Sequence, residues 1–119
     1  VWGSGKPRRE FLHVDDMAEA CLAVMNIGRN DFWAKLPGRN AHINVGCGED
    51  VAIAELARMI ADVAGFHGET RYDISRPDGT PRKLLDVNLI NSLGWSAKIP
   101  LLDGLQSTYA WMVKELQEE

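Results

Sequence analysis

Two segments of this chain carry residue types that could grip a charged ligand. The first, Val1-Trp-Gly-Ser-Gly-Lys-Pro-Arg-Arg9, sets an indole, a tight glycine turn and two adjacent arginines ahead of an apolar run. The second, Pro77-Asp-Gly-Thr-Pro-Arg-Lys83, sets a carboxylate and two cations in a loop braced by prolines. A guanidinium can hold phosphate oxygens as a fork, and an ammonium adds a point charge. A carboxylate accepts from ribose hydroxyls or a base edge, and an indole packs on a ring. Those are the needs of an acidic diphosphate sugar. Each group also has an ordinary structural use. An arginine pair before a strand is commonly solvated surface, and Asp78 within Pro-Asp-Gly is a common turn residue.

Other patterns point away from chemistry. Gly3-Ser-Gly-Lys6 has the look of a phosphate-loop ending, but Pro7 stands where Ser or Thr is required and no strand precedes it. Gly46-Cys-Gly48 begins like a dinucleotide fingerprint, yet Val51 stands where the third glycine belongs. Both read as turn glycines. Cys21 and Cys47 lack paired spacing and read as reduced, buried residues of a cytoplasmic protein. His13, His42 and His67 are scattered, so no metal is expected. The formal charge of -4 and pI near 5.3 leave no electrostatic footprint for nucleic acid. The basic cluster Lys6 to Arg9 is short and contains Pro7. No apolar run approaches the roughly 20 residues of a membrane helix, and no targeting segment is evident. With 119 residues, 45% apolar and 25% charged, the composition is that of one soluble domain of modest stability. The opening residue, Val1, reads as the start of a piece of something longer.

The elements that must position these groups follow from periodicity. Glu10 to Val14 reads as a short strand, and Asp16 with Glu19 three residues on reads as a capping box opening a helix to about Ile27. Met17, Cys21, Val24 and Met25 recur on one helical face. Residues 28–40, with two glycines and a proline, read as a surface loop anchored by Phe32 and Trp33. His42 to Val45 reads as a strand. A second helix is expected from Ile53 to Ala64, burying Ile53, Leu56, Ala57, Ile60 and Val63 and ending at Gly65. Thr70 to Ile74 reads as a strand and Ser75 to Lys83 as an ordered turn or loop. Asp86 is placed to cap a short helix ending at Gly94. A last helix, Leu101 to about Leu116, should bury Leu105, Tyr109, Met112, Val113 and Leu116. The expectation is a small, helix-rich α/β domain. Three short strands among helices do not make a self-sufficient sheet, so this one reads as part of a larger parallel sheet.

At the two ligand-gripping segments the chain resembles the carboxy-terminal third of the GDP-L-fucose synthase family, a branch of the extended short-chain dehydrogenases. The resemblance runs over nearly all of the chain. It includes Arg9-Glu-Phe-Leu-His-Val-Asp-Asp-Met17, His42-Ile-Asn-Val-Gly46, Glu55-Leu-Ala57, Leu93-Gly-Trp95 and Ser107-Thr-Tyr109. The run Pro77-Asp-Gly-Thr-Pro-Arg-Lys-Leu-Leu-Asp86 is the most specific. The resemblance implies an NADP-dependent parent with a Rossmann domain, converting GDP-4-keto-6-deoxymannose to GDP-L-fucose by epimerisation and reduction. This chain would be its nucleotide-sugar-binding domain, residues 1–119, with the Rossmann domain absent. By motif position, Trp2, Arg9, Asp78 and Lys83 match residues that contact the nucleotide-sugar. Arg9 would face the diphosphate, Lys83 the phosphates or ribose, Asp78 the ribose or guanine, and Trp2 would form an apolar wall. No catalytic residue carries over, because the cofactor loop and the reacting side chains belong to the amino-terminal part; no cofactor is expected on this piece. Ala52 and Pro100 replace helix-capping Thr and Ser.

Two other readings compete: a free-standing module binding a nucleotide-sugar or protein, and the substrate domain of another sugar epimerase or dehydratase. The Pro77–Asp86 run disfavours the latter. The resemblance also implies that the first helix and the His42–Val45 strand lose their Rossmann neighbour, exposing Met17, Cys21 and Val24. A homo-oligomer is therefore expected, unless the loop of residues 28–40 covers the gap.

Overall fold

The computed structural model describes residues 1–36 and 42–118. The chain weaves between two compact units. One comprises Val1–Arg9, Asp50–Lys83 and Pro100–Glu119; the other comprises Glu10–Glu49 and Leu84–Ile99.

The first unit contains a three-stranded sheet in the order β2-β1-β3. Its strands are β1 (Arg8–Arg9), β2 (Val51–Ala52) and β3 (Arg82–Lys83). β2 pairs antiparallel to β1 and β3 pairs parallel to it. Helix α3 (Ile53–Ala64) follows β2 directly and packs against α5 (Leu101–Glu118). Ala52, at the N-cap of α3, offers no side-chain acceptor. The first amides of the helix are met by backbone instead: Ile53 N–H donates to Pro7 O at 3.0 Å and Ala54 N–H to Gly5 O at 2.9 Å. Gly65, at φ +65°, takes the left-handed conformation that ends the helix, as its position predicts. Leu56, Ala57 and Val63 are half-buried along α3, but Ile60 is exposed. On α5, Leu105, Tyr109 and Val113 turn inward, while Met112 and Leu116 do not.

The second unit contains α1 (Val14–Met25), α2 (Arg29–Lys35) and α4 (Asn88–Ser92). Ala20, Ile90 and Trp95 form its buried centre, with Leu12, Val45 and Val87 packed on them. Burying one such side chain is worth about 1.5–3 kcal/mol. The expected strand Glu10–Val14 is not formed. Pairing occurs two residues earlier at Arg8–Arg9, and Val14 already opens α1. The capping box is also not formed. His13 is the N-cap, its Nδ1 accepting from the Asp15 N–H at 3.2 Å. Asp16 is 1% exposed and reaches inward, accepting from the Lys98 N–H at 3.1 Å and the Ile99 N–H at 2.9 Å. Glu19 pairs with Lys98. A buried pair of amides therefore outcompetes the helix's own terminus for the Asp16 carboxylate.

His42–Val45 makes no strand pairing among the described residues; Ile43 and Val45 pack into the core of this unit. Residues 29–35, expected as loop, form α2, because the proline and second glycine lie beyond Lys35 and Asp31 and Lys35 complement the helix dipole. Phe32 and Trp33 meet edge-to-face at 5.4 Å. The rest of the expected loop, residues 37–40, lies outside the described residues. Asp86 is not the expected cap of α4: Val87 is the N-cap and has no side-chain cap bond, while Asp86 Oδ1, one residue further back, accepts from the Asn88 N–H at 2.9 Å. On α1, Asp16, Ala20 and Val24 face inward, whereas Val14, Met17, Cys21 and Met25 form a second, exposed stripe.

Asp16→Asn removes an acceptor from two backbone amides in a buried setting, at a cost of about 1–3 kcal/mol. Urea denaturation should show the unfolding free energy fall by that amount, with a lower midpoint at unchanged slope; an unchanged midpoint would contradict the assigned role.

Candidate functional site

The site is built from the sheet of the first unit. β1 and β3 align Arg8 with Arg82 and Arg9 with Lys83. Successive strand residues point to opposite faces, so Arg8 and Arg82 share one face and Arg9 and Lys83 the other. β2 pairs Arg8 with Ala52 and Arg9 with Val51, which puts Asp50, two residues before Ala52, on the Arg8 face.

The contacts agree with that parity. Asp50 Oδ1 accepts from Arg8 Nε at 2.6 Å, and its Oδ2 is paired with Arg82 Nε. The Asp50 side chain is 4% exposed. Arg8 Nη2 also donates to the Asp50 carbonyl at 2.7 Å. Hydrogen bonds from Arg82, then from Arg8, hold the Asp50 carboxyl below the ordinary aspartate range.

On the opposite face, Arg9 Nη1 donates to the carbonyls of Arg8 and Thr80, both at 2.7 Å. This ties the guanidinium to the loop carrying Asp78. A side-chain carbon at Gly79 would come within 3.1 Å of Arg9 Nη2, so glycine there leaves the guanidinium its room. Lys83 is exposed and makes no hydrogen bond or ion pair among the described residues.

Asp78 closes the loop onto the opening turn. Its Oδ1 accepts from the Ser4 N–H at 2.7 Å and its Oδ2 from the Ser4 hydroxyl at 2.6 Å. The Ser4 hydroxyl, then the Ser4 amide, hold its carboxyl below the ordinary value, with the Lys6 charge adding to them. Gly3, at φ +77°, allows the turn, and a side chain there would collide with the Asp78 carboxylate. Val1–Gly3 is then held alongside Asp73, whose N–H donates to Val1 O at 2.8 Å and whose carbonyl accepts from the Gly3 N–H at 2.9 Å. This single bridge, rather than a strand, is what the Thr70–Ile74 segment forms. Of the expected loop Ser75 to Lys83, residues 75–81 are loop and only the last two, Arg82 and Lys83, join the sheet.

Trp2 is 77% exposed, and the Arg76 guanidinium lies 5.2 Å from the centre of its ring. Of the four residues singled out from sequence, the register pairs Arg9 with Lys83. Asp78 is clamped to the Gly3–Ser4 turn, and Trp2 stands beside that turn with a cation on its ring. Asp50 and Arg76 are not among the candidates from sequence, and Arg82 is named there only as one of the two cations of the loop. Arg76 carried no signal, since only folding brings it to Trp2. Period-two alternation does separate Arg82 from Lys83, but only once a strand is known to be there.

Residues 1–46 match the model of the NAD dependent epimerase/dehydratase family. The GDP-L-fucose synthase of Escherichia coli K12 is 52% identical over 114 residues, covering 96% of this chain and 36% of that protein. GDP-L-fucose synthase 1 of Arabidopsis thaliana is 47% identical over 116 residues, or 98% of this chain and 33% of that protein. This chain is homologous to the GDP-L-fucose synthases. It spans about a third of the length of those relatives. A solved GDP-6-OMe-4-keto-L-xylo-heptose reductase from C. jejuni superposes with a TM-score of 0.85 at 43% identity, covering 97% of this chain and 33% of that one. The UDP-glucose 4-epimerase of Thermotoga maritima superposes with a TM-score of 0.80 at 26% identity, so the fold extends beyond enzymes named for GDP-sugars.

The nicotinamide dinucleotide implied by the epimerase/dehydratase family does not fit the Gly46–Gly48 turn of this chain. A dinucleotide turn presents amides from a strand to a helix N-terminus. Here the Gly48 N–H is already taken at 2.6 Å by Glu10, whose carboxylate also fills the space over Gly46. An anion there opposes a pyrophosphate. Among the described residues no three His, Cys, Asp or Glu side chains gather as a metal set would, and no helix is long and apolar enough to cross a membrane.

The sign of the Asp78 shift fixes a pH dependence. A depressed carboxyl stabilises the folded clamp above its unfolded value near 3.8, and that stability is lost as pH falls through the lower folded value. The Ser4 amide resonance should therefore titrate with a midpoint below 3.8 and stop titrating in Asp78→Asn. A midpoint at or above 3.8 would refute the clamp.

Proposed function

We propose that this chain is the carboxy-terminal, nucleotide-sugar-holding part of a GDP-sugar epimerase/reductase of the fucose synthase kind. The observation that carries it is the register of β1 and β3, which sets Arg9 and Lys83 side by side on one sheet face. Two adjacent cations, one a fork and one a point charge, suit a diphosphate.

In this reading Arg9 and Lys83 hold the diphosphate, and Arg9 is oriented for it by the Thr80 and Arg8 carbonyls. Asp78 keeps accepting capacity beyond its two bonds to Ser4 and can take a ribose hydroxyl. Trp2 with Arg76 forms the wall beside the sugar or base. The binding energy so obtained holds the sugar ring still while the parent's other residues act on it. Hydride for the reduction comes from NADPH held by the remainder of that cytoplasmic parent; this chain's residues bind and orient, and none reacts.

Calorimetric titration with GDP tests the reading. Lys83→Ala should weaken binding by about 1–3 kcal/mol, the loss expected for a charged hydrogen bond. It is the cleaner variant, because Lys83 has no described partner to release, whereas Arg9→Ala also frees the Thr80 carbonyl. Arg9→Ala should weaken binding by at least as much. GDP affinity equal to wild type in both variants would remove the site from this sheet face.

The exposed α1 stripe supports a second element of the proposal, that the chain self-associates. Val14, at 72% exposure, and Met25, at 80%, present apolar area continuous with Met17 and Cys21. Sedimentation at rising concentration should show mass growing beyond one chain. A constant 13.2 kDa species at high concentration would refute it.

A further inference from the structure

We infer that Asp50 is the positioning residue of the diphosphate cradle: by joining Arg8 and Arg82 on the far face of the sheet, it holds Arg9 and Lys83 in register on the near face. The inference rests on the binding reading given above and goes beyond it by assigning that function to a residue which touches no ligand.

Three observations converge on Asp50. Its carboxylate is 4% exposed while the two arginines it pairs with are 46% and 62% exposed, so the carboxylate is the enclosed hub and the cations its spokes. The two guanidiniums come from different strands, Arg8 from β1 and Arg82 from β3, and Asp50 leads into the third strand, β2. The strands are two residues long, too short for their ladder bonds alone to fix pairing.

The consequence is electrostatic. Arg8 and Arg82 are direct neighbours on one face, and like charges directly opposite each other repel. Asp50 converts that repulsion into a bridge. A slip of β3 by one residue would put Lys83 on the face opposite Arg9, because the side-chain period is two. The ladder bond that reports the pairing is the Arg8 N–H to Pro81 O, at 2.8 Å.

The test uses the 119-residue chain with two readouts, GDP affinity by calorimetry and hydrogen exchange of the Arg8 amide by NMR. Asp50→Asn should weaken GDP binding about tenfold and speed Arg8 exchange by a similar factor, with exchange in α3 and α5 unchanged. Adding Arg82→Gln to Asp50→Asn removes one of the two unpaired cations, so it should bring both readouts back to within about threefold of wild type. A merely structural loss would not recover on removing a second partner. Wild-type GDP affinity and wild-type Arg8 exchange in Asp50→Asn would overturn the inference, as would a double variant no better than the single one. If Asp50→Asn fails to fold, the double variant carries the test and must fold and bind. If the wild-type chain shows no GDP binding, the binding reading fails by itself, and Arg8 exchange still decides the role of Asp50.

Discussion

One carboxylate shared by two guanidiniums organises the sheet that we propose as the ligand-holding part of this chain. Asp50 stands where three very short strands meet. Without it, Arg8 and Arg82 would be two like charges in register on the same face. With it, β1 stays central, and the carbonyls of Gly5 and Pro7 just before β1 are held where the first amides of α3 need them. The amphipathic helix α3, whose N-cap residue Ala52 cannot cap it, thus depends on the same sheet. So does the loop of residues 75–81, which is anchored at one end by β3 and at the other by the Trp2–Asp73 bridge.

Carboxylates recur as clamps rather than as reacting groups. Asp78 takes both donors of Ser4, Asp16 takes the amides of Lys98 and Ile99, and Asp86 takes the amide of Asn88. Glu10 takes the amides of Gly48 and Leu85. Each meets backbone donors that irregular chain would otherwise leave unpaired, and such donors are costly to bury without a partner. This explains how a chain with so little regular strand keeps defined loops. It also explains why a net charge of -4 coexists with a cationic sheet face. Much of the acidic complement is spent on internal acceptors, leaving Lys83 without a described counterion and Arg9 facing only carbonyls.

The apolar side is sparser. In the second unit Ala20, Ile90 and Trp95 are the buried centre, and α1 is apolar on two faces while only one is covered. A helix apolar on both sides is made to be enclosed on both. Homologues about three times as long have chain enough to do so.

Where a signal was local, the sequence alone determined the outcome. The α3 helix, its Gly65 stop and the loop before β3 were all legible from neighbours within a turn or two. What depended on distant partners was not. Asp16 read as a helix cap because Glu19 stands three residues on, yet amides 82 and 83 residues away claim it. Residues 10–14 read as strand by their apolar character, but a strand exists only where a partner offers its edge, and the partners met Arg8–Arg9 instead. In His42–Val45, Ile43 and Val45 pack into the core, yet no ladder forms among the described residues. The chain names the cations; only the folded register decides that Arg9 and Lys83 share a face and that Arg8 and Arg82 are turned from it toward Asp50. That division follows from range: propensity and capping act over about one helical turn, whereas pairing and charge neutralisation are settled by whatever the rest of the chain brings alongside.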